Sequence, residues 1–371
     1  MIDHPSSFEG LKIEDDSIRR SFEDAEEKLL SSRARLAKHS LGRETPEEEC
    51  FLRTCFQRDR DRIIHSEAFR RLKHKTQVFL SPTHDHFRTR LTHTLEVAGI
   101  ARTIARALRL NEDLTEAIAF GHDLGHTPFG HAGEQILAEI CEGGFHHASH
   151  SVRVVCKLEK NGLGLNLTRE VIDGILKHSK GRSGAILSNG ADESLTLEGQ
   201  IVRISDLVAY VNHDVDDAIK AGIISLENLP SSSAKILGPR HSKRIHQMVK
   251  DIISASYVGD KIAMSQPFLE ATNELRAFLY EKVYTHPAIN SQVETSGKLL
   301  RQLARWFQEN PDDFKKRYCP PHVEISLNRS LTDFLAGLTD AHAINLFQDI
   351  YVPLTHLDNR FIKGYFEKGE K

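Results

Sequence analysis

The sequence predicts an all-α protein. Apolar residues recur at helical spacing through nearly every segment of its 371 residues, and no convincing run of alternating strand residues appears. Clusters of Gly, Pro, Ser and Asn interrupt the pattern at short intervals. The chain therefore reads as many helices of moderate length packed into one unit over residues 1–371.

The elements follow in order. Residues 21–38 (SFEDAEEKLLSSRARLAK) and 57–73 (QRDRDRIIHSEAFRRLK) are amphipathic, with opposite charges at helical neighbour positions. TQVFL, shortly before Pro82, is the one stretch compatible with a short strand. A long helix over 88–109 carries Arg90 and His93. A short one over 112–122 takes Asn111 as its N-cap. Pro128 suits the first turn of a helix that runs towards Glu142, where Gly143-Gly144 ends it. Helices are expected at 148–160, 168–179 and 195–214, with a Gly/Ser/Asn-rich loop over 181–194. A loop-rich connector over 225–239 leads to helices at 240–255, 266–284, 289–308, 329–338 and 340–350.

Composition excludes several classes. A net charge of −3, with 39% hydrophobic and 27% charged residues, is that of an ordinary globular chain, so polyanion binding needs a local basic patch. No run of apolar residues is long enough for a membrane span. MIDHPSSFEG has neither the basic nor the apolar part of a secretory signal, and the five cysteines form no C-x-x-C. Reduced thiols and a cytoplasmic location are the expectation.

Chemistry concentrates in three strings. His93 lies in RTRLTHTLEVA, His122 and Asp123 in AIAFGHDLGHTPFGHAGE, and Asp206 in QIVRISDLVAYVNHD. Two imidazoles and two carboxylates make a complete protein ligand set for one divalent cation, built from inward-facing side chains of separate helices. Mixed N/O ligation suits Mn, Fe, Co, Ni or Zn, and holds Mg less tightly. His131 and Glu134 are spaced i, i+3, so a carboxylate beside an imidazole offers a general acid on one helix face. His126, in the turn before them, suits phosphate contact or a turn cap equally. Asp206, Tyr210 and Asp214 line one stripe at i, i+4 and i+8, which puts Tyr210 and Asp214 where a sugar would lie. Arg90, one turn before His93, suits a phosphate. His147 and His150 of FHHASHSVRVV are weaker candidates, as are Lys177 and His178 of KHSKGR, which also offers Lys180 and Arg182.

These strings, with FQRDRDRIIHSEAFRRLKHKTQVFL, GILKHS and RISDLVAYVNHDVDDAI, resemble the dGTPase-like deoxynucleoside triphosphate triphosphohydrolases of the HD-domain superfamily. The resemblance is strong over residues 31–222 and returns faintly at 331–347. It implies an HD-domain helical bundle with additional C-terminal helices: a catalytic core over 50–222, and a region over 223–371 that completes the pocket and the oligomer contacts. It implies hydrolysis of a dNTP to deoxynucleoside and inorganic triphosphate, with His93, His122, Asp123 and Asp206 holding the metal. It makes His131 and Glu134 the catalytic pair. It sets Arg90, Tyr210 and Asp214 at phosphate and sugar, with Tyr210 against a 2′-hydroxyl. Members of that family form homo-oligomers, often hexamers, and some respond to an allosteric nucleotide. Two strings depart from the family pattern and bear on substrate contacts: His147-Ala148-Ser149-His150, and Thr339-Asp340-Ala341-His342-Ala343. Competing readings are another HD phosphohydrolase (a nucleotidase or phosphodiesterase), or a regulator binding nucleotide or single-stranded DNA with little catalysis, through the basic segment 58–75 and the Lys and Arg residues near 177–182.

Overall fold

The computed structural model describes residues 17–78, 87–141, 143–179, 192–318 and 326–352. Over these residues the chain forms sixteen α-helices. They are α1 Ser17–Leu29, α2 Cys55–Ile64, α3 Glu67–Arg71, α4 Arg90–Ala107, α5 Glu112–Gly121, α6 His131–Ile140, α7 His147–Arg153 and α8 Arg169–Lys177. Then come α9 Leu197–Lys220, α10 Ser231–Leu237, α11 His241–Ser256, α12 Gln266–Leu279, α13 Pro287–Glu309, α14 Pro311–Tyr318, α15 Leu327–Gly337 and α16 Asp340–Tyr351. Among the described residues the strand-type pairings are two isolated bridges, Arg43 with Thr168 and Thr76 with Thr89. The all-α expectation holds. No helix among these residues is long and apolar enough to cross a membrane.

Several boundaries differ from the sequence reading, each for a local reason. The first helix stops at Leu29 rather than 38, because the backbone beyond it is drawn elsewhere. Ser31 N–H donates to the Arg109 carbonyl at 2.7 Å, and Ala37 N–H donates to the Glu26 carboxylate at 2.6 Å. The 57–73 helix breaks at Ser66, whose hydroxyl donates to the Ile63 carbonyl at 2.7 Å and accepts from Phe69 N–H at 3.2 Å, capping α3. Thr76 makes only a single bridge, and residues 79–80 of TQVFL lie outside the described residues. Pro128 does not open a helix: α6 begins three residues later, after Gly130 at φ +59°. The 148–160 helix loosens after Arg153 into one wider turn, 154–158. The connector over 225–239 contains α10, and α14 was not anticipated. Most of the 181–194 loop, with Lys180 and Arg182, lies outside the described residues. Cys50, Cys55, Cys141 and Cys156 are unpaired, and burial pushes the Cys55 thiol up to about 12.

The helices gather around two apolar cores. In the first, α5 is the central element, packed between α2, α4, α8 and α9, and every residue from Ala117 to Gly121 is buried. The α4 face turned to it carries Val97, Ala98, Ala101, Ile104 and Ala105, the i, i+3, i+4 stripe expected of a helix on a core. Each fully buried Val, Ile or Leu contributes roughly 1.5–3 kcal/mol, so this stripe fixes the orientation of α4. Thr89 caps α4 by accepting from Thr92 N–H, which places Arg90 and His93 on the buried side of its first turns. The second core joins α6 to α13, α15 and α16 through Phe129, Ile136, Leu137, Leu303, Phe307, Phe314, Leu335 and Leu346. The segment 122–131 runs between the two.

Glu198, fully buried in the first turn of α9, ties three segments together. One carboxylate oxygen accepts from Arg35 N–H and Asn111 N–H, both at 3.0 Å, while the other has no partner among the described residues. Burial pushes this carboxyl up to about 7 from 4.5. Because the folded-state value lies above the unfolded one, the stabilisation from the bound proton is complete below about pH 4.5. It is lost as pH rises through about 7. Glu198→Gln is therefore expected to raise the melting temperature at pH 8, by up to about 3 kcal/mol in stability, and to have no effect at pH 4. Thermal denaturation of both proteins across that range checks this, and an equal difference at both pH values would refute it.

Candidate metal centre and active site

His93 enters from α4 and is 1% exposed. His122 and Asp123 follow directly on α5 and are equally buried. The doublet is locked against α7: the Ser151 hydroxyl donates to the His122 carbonyl at 2.7 Å and accepts from Gly125 N–H at 2.8 Å. Gly125 permits this approach, since a Cβ there would fall 2.1 Å from the Ser151 nitrogen. Asp206 comes from the middle of α9.

Ligand atoms of His93, His122 and Asp123 all lie within 4.8 Å of one another. His93 Nε2 stands 3.1 Å from Asp206 Oδ1 and 3.9 Å from Asp123 Oδ2, and His122 Nε2 stands 3.3 Å from Asp123 Oδ1. Ligands at ~2.1 Å from one ion stand about 3–3.5 Å apart, so these spacings fit a shared cation. The decisive atom is His122 Nε2. Its ring donates through Nδ1 to the Ala119 carbonyl at 2.6 Å, so Nε2 carries the lone pair, yet it is buried without a hydrogen-bond partner among the described residues. A buried, orphaned imidazole lone pair beside two carboxylates is what a divalent metal satisfies. Burial alone would raise Asp123, but the imidazoles of His122 and His126 and the guanidinium of Arg90 hold its carboxyl well below the usual range. Asp206 is likewise lowered against its burial, by His93.

Next to this group stands a second one. Glu134 Oε1 accepts from the backbone N–H and from Nδ1 of His147, both at 2.9 Å. His147 Nε2 faces His178 Nε2 at 3.2 Å. His178 donates through its Nδ1 to the Ile175 carbonyl at 2.7 Å, and burial pushes it down to about 3, so its Nε2 offers a lone pair. His147 thus faces an acceptor at each nitrogen. His126 bridges the two groups: its Nε2 lies 3.1 Å from Asp123 Oδ1, and its ring stacks on His147 at 4.0 Å.

The sequence pairing of Glu134 with His131 takes a different form. His131 Nδ1 is 3.9 Å from Glu134, and its side chain is 81% exposed. The helical spacing is right, and Glu134 is shared: His131 and His147 both meet it and, against its burial, hold its carboxyl below the usual range. Arg90 does not stand free for phosphate either; it is buried and donates to Asp123 Oδ2 at 2.9 Å. Lys177 pairs with Asp173 at 2.7 Å. His150 belongs to another cluster, against Phe145 and 3.9 Å from Asp333.

Tyr210 and Asp214 share the α9 stripe with Asp206, and each meets a residue that the sequence reading missed. Tyr210 is held by Arg276, and Asp214 accepts from the Tyr284 hydroxyl. Burial pushes Asp214 up to about 7 and Tyr284 well above its usual range. Nothing local in the sequence signals Tyr284, which ends a predicted helix 70 residues away.

Two family profiles match the chain. The HD domain profile matches residues 90–210, which span His93 to Tyr210, and the phosphohydrolase-associated domain profile matches 262–349. Among similar proteins, one from Caldanaerobacter subterraneus subsp. tengcongensis is 52% identical over 91% of this chain and 96% of its own length. One from Desulfatibacillum aliphaticivorans is 48% identical over 91% and 99%. One from Clostridium perfringens is 45% identical over 91% and 98%. All three are named deoxyguanosinetriphosphate triphosphohydrolase-like protein. The chain belongs to this triphosphohydrolase-like family of HD-domain phosphohydrolases.

Proposed function

We propose that this chain is a metal-dependent hydrolase that cleaves deoxynucleoside triphosphates to deoxynucleoside and inorganic triphosphate. The observation that carries the reading is the juxtaposition of the His93–His122–Asp123 group, with Asp206 against His93, and the Glu134–His147 pair across one ring, His126.

When bound, a divalent cation at the four ligands supplies positive charge at a phosphate oxygen and acidifies a water. The chain's own residues do the rest. His122 and His93 present lone pairs from rigid, buried helices, and Arg90 keeps Asp123 ionised and oriented. Water attacks the α-phosphorus in line, the bond from phosphorus to the 5′-oxygen breaks, and His147, on turning its Nε2–H away from His178, gives that proton to the leaving oxygen. Glu134 stays a carboxylate and stabilises the imidazolium beforehand. The Asp214–Tyr284 pair, farther along α9, receives the sugar hydroxyl. Here His147 takes the acid role that the helical spacing suggested for His131.

Single-stranded DNA binding is the less favoured reading, since three arginines of the basic segment already have acidic partners. Arginines of the basic segment are neutralised by neighbouring acids: Arg60 lies 2.8 Å from Asp113, Arg62 lies 2.7 Å from Glu47, and Arg58 lies 3.3 Å from Glu47.

The test is incubation with each of the four dNTPs, singly and mixed, with Mg or Mn, and separation of products by ion exchange. Triphosphate and deoxynucleoside in equal amounts are expected. Orthophosphate or a nucleoside monophosphate as product would assign the chain to another HD chemistry. Turnover only in the mixture would reveal a nucleotide that acts as activator.

A further inference from the structure

The turn 125–130 carries His126 and delivers Glu134 onto α6, yet its backbone is poorly suited to stand alone. Phe129 has φ +60°, a left-handed conformation uncommon outside glycine, and Gly130 follows at φ +59°. Inside the turn, the Thr127 hydroxyl donates to the Gly130 carbonyl at 2.9 Å. The remaining supports come from outside. Asp340, the first residue of α16, accepts from Phe129 N–H at 2.8 Å through Oδ1. Through Oδ2 it accepts from Thr76 N–H at 2.9 Å and from the Thr76 hydroxyl. Lys75, only 2% exposed, donates both to the His126 carbonyl and to the Ala336 carbonyl at 2.8 Å. That second carbonyl is one of those left open at the end of α15. Thus one lysine amine and one carboxylate grip the turn from both sides. Both anchor it to the junction of α15 and α16, within the part of the chain matched by the phosphohydrolase-associated profile.

We propose that Lys75 and Asp340 are positioning residues that clamp the 125–130 turn to the α15–α16 junction and so set where His126 and Glu134 stand beside the metal group. The catalytic half of this statement rests on the function proposed above; the mechanical half does not. Neither residue hydrogen-bonds a side chain of the ligand set or of the Glu134–His147 pair among the described residues, so their effect travels through the backbone of the turn. The departure from the family string at 341–342 leaves this contact intact, because Asp340 itself is present and engaged.

The experiment uses the full chain with Asp340→Asn, Asp340→Ala and Lys75→Met. Asparagine keeps an acceptor for Phe129 N–H but cannot serve both amides, so it should recover most of what alanine loses. Hydrogen exchange followed by mass spectrometry is measured without nucleotide. Exchange at 126–130 should accelerate by on the order of tenfold in Asp340→Ala, with α4 and α9 unchanged. On the dNTP that wild type turns over, kcat should fall by about 10²-fold at similar KM and unchanged metal content, because a misplaced acid slows chemistry without removing binding. Exchange at 126–130 and kcat both at wild-type values in Asp340→Ala would overturn the proposal. So would acceleration spread evenly over the chain, which marks a general stability defect. If the alanine variant does not fold, Asp340→Asn and Lys75→Met carry the same two readouts. If wild type has no triphosphohydrolase activity, the functional reading fails, and the exchange measurement alone decides the clamp.

Discussion

His122→Ala is expected to yield a folded protein that has lost both its cation and its turnover. The ring contributes a lone pair that no hydrogen bond among the described residues uses, so its removal subtracts a ligand. Metal chemistry of this kind is worth several kcal/mol in the transition state, and the rate should fall by roughly 10³–10⁴-fold. Elemental analysis should find wild-type protein with about one equivalent of a transition metal and the variant with almost none. Asp206→Asn should behave similarly, since it joins the group across His93. A His122→Ala protein that keeps both full metal content and full activity would remove the foundation of the reading. Chelation of wild type should reproduce the variant, with recovery on adding metal back.

The second large effect separates two histidines. His147→Ala should lose roughly 10²–10⁴-fold in kcat while retaining metal, as expected when a general acid is deleted. His131→Ala should stay within a few-fold of wild type, because its ring is 81% exposed and 3.9 Å from Glu134. Glu134→Gln should follow His147→Ala, since the amide cannot hold a charged imidazole. The reverse ranking, with His131 essential and His147 dispensable, would restore the pair that helical spacing suggests and reject the one the contacts suggest.

What could be read from the sequence divides along physical lines. Local signals were sufficient for the helices that build the metal group. The α4 stripe, the Asn111 cap of α5 and the long apolar run of α9 are properties of neighbouring residues. Chemistry that depends on who meets whom across space was harder. An i, i+3 pair is visible on paper, so His131 and Glu134 were coupled. The contact of Glu134 with His147 depends on how Gly143 and Gly144, both at positive φ, fold the chain back after α6. Arg90 reads as a free cation until the fold lays it on Asp123. Tyr284 and Asp340 reach the site from 70 and 211 residues away in the chain, and no periodicity encodes such meetings. Short helices such as α10 and α14 were lost for another reason, since two turns give too few repeats to establish a period.

The stripe on α9 has a consequence for what the protein accepts. Asp206 and Asp214 are eight residues apart on one continuous helix, about 12 Å at 1.5 Å per residue. On the function proposed above, a cation at Asp206 and a sugar hydroxyl at Asp214 would make this helix a gauge. Small phosphate esters would engage only the first notch and gain no foothold at the second. A molecule that bridges both would be measured by length before any atom of its base is inspected.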